Sequence, residues 1–192
     1  MQLKVLLVKD SPERSELLKQ SVQTFGHNVV AEVSMDSDLV VSAGQHHPDL
    51  LLVDSDSLGD VLLSRLHDLS QHRPLPVVLF TEDDNRRIIK KAVRAGVSAY
   101  IVDGLDQHRI GTIMDVAVAR FHEGERLRKE LNETRASLSE RKAVERAKAI
   151  LMKQRCCDEP EAYHALRKMA MDKNLRIGQV AENVIAVAEL LN

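Results

Sequence analysis

The chain has 192 residues, enough for one large domain or two small ones, and with 44% hydrophobic but only 3% aromatic residues any core must be aliphatic. No apolar run of about 18 residues and no basic-plus-apolar leader occurs, so the sequence reads as neither membrane-spanning nor exported, and a cytoplasmic protein is expected. The net charge of −2 is unevenly spread: residues 1–112 hold 12 Lys/Arg against 16 Asp/Glu, a net of −4, while residues 135–176 hold 11 against 6, a net of +5, the footprint of a polyanion-binding end.

Lys4-Val-Leu-Leu-Val8 is a short continuous apolar run, the pattern of a strand buried on both faces. Ser11-Pro12-Glu13 then opens a helix whose expected buried face is Leu17, Leu18 and Val22. His27-Asn28 turns the chain into a strand over residues 29–33. A helix near residues 37–43 precedes the apolar run Leu50-Leu51-Leu52-Val53, which ends on Asp54. A third helix, over residues 59–69, leads through Pro74 and Pro76 to Val77-Val78-Leu79-Phe80 and then Thr81. Residues 85–95 read as a helix with Ile88, Ile89, Ala92 and Val93 inward and Gly96 as its left-handed stop. Ala99-Tyr100-Ile101-Val102 makes a fifth strand, followed by Asp103. Apolar strands alternating with helices imply right-handed βαβ units, hence an α/β fold with a five-stranded parallel sheet. Ligands of such sheets gather at the carboxyl ends of the strands, and those ends carry Lys9-Asp10, Asp54, Thr81 and Asp103.

An acid after the first strand, Asp54 closing the third, Thr81 closing the fourth and Tyr100 on the fifth together resemble a two-component receiver domain. The resemblance implies a flavodoxin-like sheet in the order 2-1-3-4-5 and a third-strand aspartate that accepts a phosphoryl group from a histidine kinase. In that family an acidic pair after the first strand joins the acceptor in binding Mg²⁺ through oxygen ligands. A fourth-strand hydroxyl and a fifth-strand lysine hold the phosphoryl oxygens. Here Asp10, Asp54 and Thr81 match, but Lys9 stands where the first acid belongs and Asp103 where the lysine belongs. A carboxylate is exchanged for a cation, and the phosphoryl-binding cation for an anion. Lys9 is therefore expected to pair with Asp54 or Asp103, giving an internally neutralised pseudo-receiver governed by protein contacts, without a metal or cofactor. A weakened but still phosphorylatable Asp54 is the competing reading.

From about Thr112 to Gln154 the chain carries no proline and a single glycine, Gly124. That predicts one long helix, roughly 60 Å at ~1.5 Å per residue. Its apolar positions are sparse, and Leu127, Leu131 and Leu138 form a narrow seam with charges nearly everywhere else. The seam predicts a short coiled coil over residues 113–138, pairing two chains and joining a degenerate receiver (1–112) to a C-terminal module (139–192). A spacer helix solvated on all sides is the alternative.

At the end of that helix Ala147, Ile150 and Leu151 turn inward. The adjacent Cys156 and Cys157 suit neither a framework disulfide nor a zinc site. Asp158-Glu159-Pro160-Glu161 then offers an N-cap, an early-turn proline and an acid at N3, a capping-box pattern. The helix it opens places Ala162, Leu166, Met169 and Ala170 on its apolar face and ends at Lys173-Asn174. A last helix spans roughly residues 177–191, with Val180, Val184, Ile185, Val187, Ala188 and Leu191 apolar. Small alanine-rich contacts imply an all-α three-helix module with its basic residues outside.

Three blocks in order resemble the ANTAR domain over residues 138–191: Glu145-Arg-Ala-Lys148-Ala-Ile-Leu-Met152, Glu161-Ala-Tyr-His-Ala-Leu-Arg-Lys168-Met-Ala-Met171 and Ile177-Gly-Gln-Val-Ala181. A degenerate receiver, a coiled coil and an ANTAR domain form the arrangement of the AmiR/NasT family, with most similarity to its NasT branch of nitrate/nitrite-responsive antiterminators. The resemblance implies a homodimer on leader-mRNA hairpins that prevents transcription termination, under control of a nitrate-sensing, NasS-like partner protein. The RNA surface is expected on Lys148, Arg167, Lys168, Lys173 and Arg176, with Arg141, Arg146 and Lys153 as phosphate contacts. Tyr163, the one aromatic of the module, is either a base-stacking platform or a helix-packing residue. No Ser/His/Asp or Cys/His constellation, phosphate-binding glycine loop or metal-ligand spacing is visible, so no catalytic role is expected. A DNA-binding response regulator is the rival. Against it, the last helix carries Glu182 and Glu189 and no Lys/Arg after Arg176, a poor major-groove reader.

Overall fold

The structure, a computed structural model, describes residues 2–10, 12–102 and 106–190. Ser11, Asp103 and Leu191, singled out above, lie outside the described residues. The chain divides into two compact units, residues 1–125 and 126–192.

In the first unit the strands β1 (Lys4–Lys9), β2 (Asn28–Ser34), β3 (Leu50–Asp54), β4 (Val77–Thr81) and β5 (Ala99–Val102) alternate with helices α1 (Pro12–Thr24), α2 (Leu39–His46), α3 (Asp60–His72) and α4 (Arg86–Arg94). All strand pairs are parallel, in the order β2-β1-β3-β4-β5, as the sequence predicted. Because successive strand residues face opposite sides, each apolar run feeds two cores. Leu6, Val8, Leu51, Val53 and Leu79 pack with α2, α3 and α4 residues such as Leu39, Leu66 and Ala92. Val5, Leu7, Leu50, Leu52 and Phe80 pack on the other face with Leu18, Val22, Ile110, Met114 and Ala117.

Local chemistry sets the helix ends. Asp38 caps α2, its carboxylate accepting from the Val40 and Val41 amides at 2.9 and 3.0 Å, so that helix starts two residues later than its pattern suggested. Asn85 caps α4 by accepting from the Arg87 amide. Gly96 follows α4 at φ +103°, where the Gly96 and Val97 amides donate back to Val93 and Ala92. A Cβ there would stand 2.7 Å from the Ser70 Cβ, so this stop requires glycine. Two expected inward residues face out: Leu17 is 44% exposed and Val93 58% exposed. The buried stripe of α1 is Ser15, Leu18 and Val22, one position away from Leu17, and that of α4 centres on Ala92.

Helix α5 (Gln107–Arg155) contributes residues to both units. Every residue from 126 to 142 is exposed in the single chain. In the second unit the end of α5 packs with α6 (Glu159–Lys173) and α7 (Ile177–Leu190). The core is small: Ala147, Leu151, Ala162, Leu166, Ala170, Val180 and Ala181, with Val144, Met169 and Val184 at its edge. Val187, expected inward, is exposed. The predicted capping box of α6 is formed. Asp158 accepts from the Glu161 amide at 2.9 Å, and the Glu161 carboxylate accepts from the Asp158 amide at 3.3 Å. Asn174 in the left-handed region closes α6, its amide donating to Met171 and that of Leu175 to Ala170. Among the described residues no helix is long and apolar enough to cross a membrane.

Candidate functional sites: the strand-end pocket and the basic helical unit

The strand ends of the first unit bring Lys9, Asp54 and Thr81 together because β1, β3 and β4 are neighbours and Lys9 is paired in register with Asp54. Asp54 and Thr81 are almost completely buried, at 1% and 2% exposure, while Asp10 is exposed. The Thr81 hydroxyl donates to the Asp56 carbonyl at 3.3 Å and accepts from the Asp83 amide at 3.2 Å. Tyr100 of β5 donates to the Asp83 carbonyl at 2.7 Å. Burial, then the charge of Asp83, pushes its phenol up against a smaller opposing effect of Thr81.

Lys9 does not make the expected pair with Asp54. Its ammonium sits 2.7 Å from a Glu32 oxygen, and Lys19 of α1 lies 2.8 Å from the other oxygen. Asp103, the second expected partner, is outside the described residues. Register permits either partner: Asp54 pairs with Lys9 and Glu32 pairs with Leu7, two residues before it, so both acids project from the face of the sheet that carries Lys9, and desolvation decides between them. The Lys9–Glu32 pair stays partly hydrated, whereas drawing the ammonium down to the buried Asp54 would cost more desolvation. Hydrogen bonds from Lys19 and then Lys9 outweigh burial and hold the Glu32 carboxyl at about 2. The same bond to Glu32 raises Lys19. Glu32 was missed from the sequence, although an acid inside Val29-Val-Ala-Glu-Val33 was a visible departure from the apolar run.

The donor set does not fit a receiver's Mg²⁺. Two carboxylates remain, Asp10 and Asp54, beside a lysine, and the described residues contain no group of three His, Cys, Asp or Glu side chains placed to hold a metal.

In the second unit Arg141, Lys153, Arg167, Lys168, Lys173 and Arg176 are exposed, and among the described residues no ion pair engages them. Two expected contacts are placed differently. Lys148 is 8% exposed, its ammonium held by Glu145 at 2.8 Å and Glu159 at 2.7 Å, which raise its pKa in that order. It ties α5 to the first turn of α6 rather than presenting a cation to solvent. Arg146 is exposed but paired with Glu189 of α7 at 2.7 Å. Tyr163 is 42% exposed, edge-on to the His164 ring, and so is not a core residue of the helix packing. Leu127, Leu131 and Leu138 are 52%, 48% and 53% exposed in the single chain, apolar side chains left half open to water.

Comparison with known proteins follows these two units. The model of the response regulator receiver domain matches residues 5–115, and that of the ANTAR domain matches residues 132–185. The transcriptional regulatory protein PdtaR of Mycobacterium tuberculosis is 28% identical over 182 residues, covering 95% of this chain and 89% of that protein. A nitrate regulatory protein of Klebsiella oxytoca is 42% identical over 69 residues, 36% of this chain but 17% of that longer protein. Among solved structures, the signal receiver domain of a modulated diguanylate cyclase from Desulfovibrio desulfuricans shares the receiver fold at 19% identity, with a TM-score of 0.56 over 65% of this chain and 99% of that one. A receiver model spanning more than half of the sequence, on a sheet of matching strand order, is decisive: the chain belongs to the response regulator receiver family and carries an ANTAR domain behind its receiver.

Proposed function

We propose that this transcription regulator is an antiterminator that binds leader-RNA hairpins through its ANTAR domain. The observation that carries the reading is a set of exposed cations in the second unit, among them Arg141, Lys153, Arg167, Lys168, Lys173 and Arg176, that no ion pair engages among the described residues, on a stretch with a net charge of +5. Such cations release counterions from a polyanion, while unpaired loop bases supply sequence. The functional divisions are 1–112 for the receiver-like domain, 113–138 for a dimerising coiled coil through Leu127, Leu131 and Leu138, and 139–192 for the RNA module. The receiver is a pseudo-receiver: Lys9 and Asp103 replace the residues that would hold Mg²⁺ and a phosphoryl group, so control passes through a ligand-sensing protein partner. The likeness to a nitrate regulatory protein and to the NasT branch supports nitrate or nitrite as the signal and a NasS-like sensor as the partner.

Gel shifts of the full chain with a leader RNA hairpin, the same sequence as duplex DNA, and a hairpin with altered loop bases test the RNA reading. Binding to the first alone is expected, and equal retention of the duplex DNA would sink it. The second reading, phosphorylation at Asp54, is favoured by the retained Asp10, Asp54 and Thr81. Acetyl phosphate or beryllofluoride with Mg²⁺ is expected to leave the chain unmodified, and stoichiometric modification lost in Asp54→Asn would establish the rival.

A further inference from the structure

We propose that the groove between α5, α6 and α7 is a pocket for a single unpaired base of the bound RNA. The inference rests on the RNA-binding reading and names where within that unit sequence is read. The groove has a volume of about 250 Å³. Its walls are aliphatic, with Leu151 from α5, Met169 from α6 and Val184 and Val187 from α7. Val187 is 56% exposed, whereas Val180 and Ala188 on the same helix are nearly covered at 3% and 5%. An apolar wall is thus left open to water beside a polar rim.

The rim defines the occupant. Gln154 and Asn183 bring two side-chain amides to the groove, each offering donors and an acceptor, the complement of a base edge. Arg155 and Lys173 also line it, both exposed, and no ion pair engages either among the described residues. Cations beside an apolar slot suit a base whose neighbouring phosphates run along the rim. Unpaired RNA is read in this way, by packing against the base faces and hydrogen bonds to the base edges. Size argues in the same direction. Sites for drug-sized ligands run to roughly 300–1,000 Å³, and a partner helix anchors several side chains over successive turns. A groove of about 250 Å³ takes one planar heterocycle. A second copy seated symmetrically would set Arg155 and Lys173 against their own counterparts, which a phosphodiester chain instead neutralises.

The test uses the full chain and the leader RNA hairpin, with an abasic site placed at each loop position in turn. One position is expected to lose binding about tenfold when its base is removed, toward the low end of what stacking on an aromatic side chain contributes, because the walls here are aliphatic. Val187→Trp fills the groove from its exposed rim. It is expected to abolish that discrimination, so that intact and abasic hairpins bind alike, while the phosphate-driven, salt-sensitive affinity persists. Asn183→Ala, a smaller change, is expected to relax base preference at the same position only, and it decides the matter if the tryptophan variant does not fold. Equal binding by every abasic hairpin, or an undiminished abasic penalty in both variants, overturns the pocket while the RNA reading stands. Failure of the unsubstituted chain to bind any hairpin overturns the RNA reading and the pocket together.

Discussion

The two units bury apolar surface in contrasting ways. In residues 1–125 the strands carry unbroken runs of Leu and Val, and bulky aliphatic layers cover both faces of the sheet. In residues 126–192 the helices meet through Ala147, Ala162, Ala170 and Ala181, with Leu151, Leu166 and Val180 as the larger members. A large core can absorb a buried polar site at its edge, as Asp54 and Thr81 show. A small core depends on close helix approach and on well-made helix ends, and its many exposed positions are left for charge. The contrast therefore separates a unit suited to presenting a rigid protein surface from one suited to presenting cations.

The largest expected effect comes from removing bulk in the first unit. Leu52→Ala, at a site with no exposure, is expected to cost about 2–5 kcal/mol in urea denaturation of the full chain. In the second unit the damaging change is the opposite one: Ala162→Leu overpacks a fully buried contact and is expected to cost about 1–3 kcal/mol. A neutral Ala162→Leu would mean that the alanines are not there for close approach. Asp158→Ala removes the side-chain half of the capping box at α6, leaving the backbone amide of residue 158 to donate to Glu161, and is expected to cost about 1 kcal/mol, seen as a lower midpoint and lower helicity by circular dichroism.

Two smaller effects separate inward from outward charges. Lys168→Gln is expected to flatten the salt dependence of hairpin binding by about one unit of slope and leave thermal stability unchanged. Lys148→Gln is expected to lower the melting temperature, because Glu145 and Glu159 lose their shared cation, and to leave the salt slope as it is. A matching loss of slope in both variants would place Lys148 on the RNA after all. The smallest effect is titration of Glu32. Its carboxyl is held at about 2, below its ordinary 4.5, so its contribution is complete above 4.5 and is lost as pH falls toward about 2. With Glu32 a quarter exposed the effect is modest, and Glu32→Gln is expected to flatten the stability slope in that acid window alone.

Much of the architecture is legible in the sequence. The strands were visible because burial on both faces leaves an unbroken apolar run, and the α6 cap because its signature is local. Helix phase was less legible: Leu17, Val93 and Val187 are apolar yet exposed, since one residue of offset turns a side chain by about 100°. In the second unit the excess of cations was legible from the sequence, but their individual surroundings were not: the Lys148 ammonium is held by Glu145 and Glu159, while Arg155 is exposed with no ion pair among the described residues.

The amino-acid order alone determined the strand count, the parallel sheet, the long helix and the departures at positions 9 and 103, because these depend on side-chain type and on spacing along the chain. Tertiary structure decided which carboxylate Lys9 meets, which cations remain available and where the apolar groove opens. Those outcomes depend on groups far apart in the chain, such as Lys9 and Glu32 or Arg146 and Glu189, whose meeting is set by strand register and helix packing.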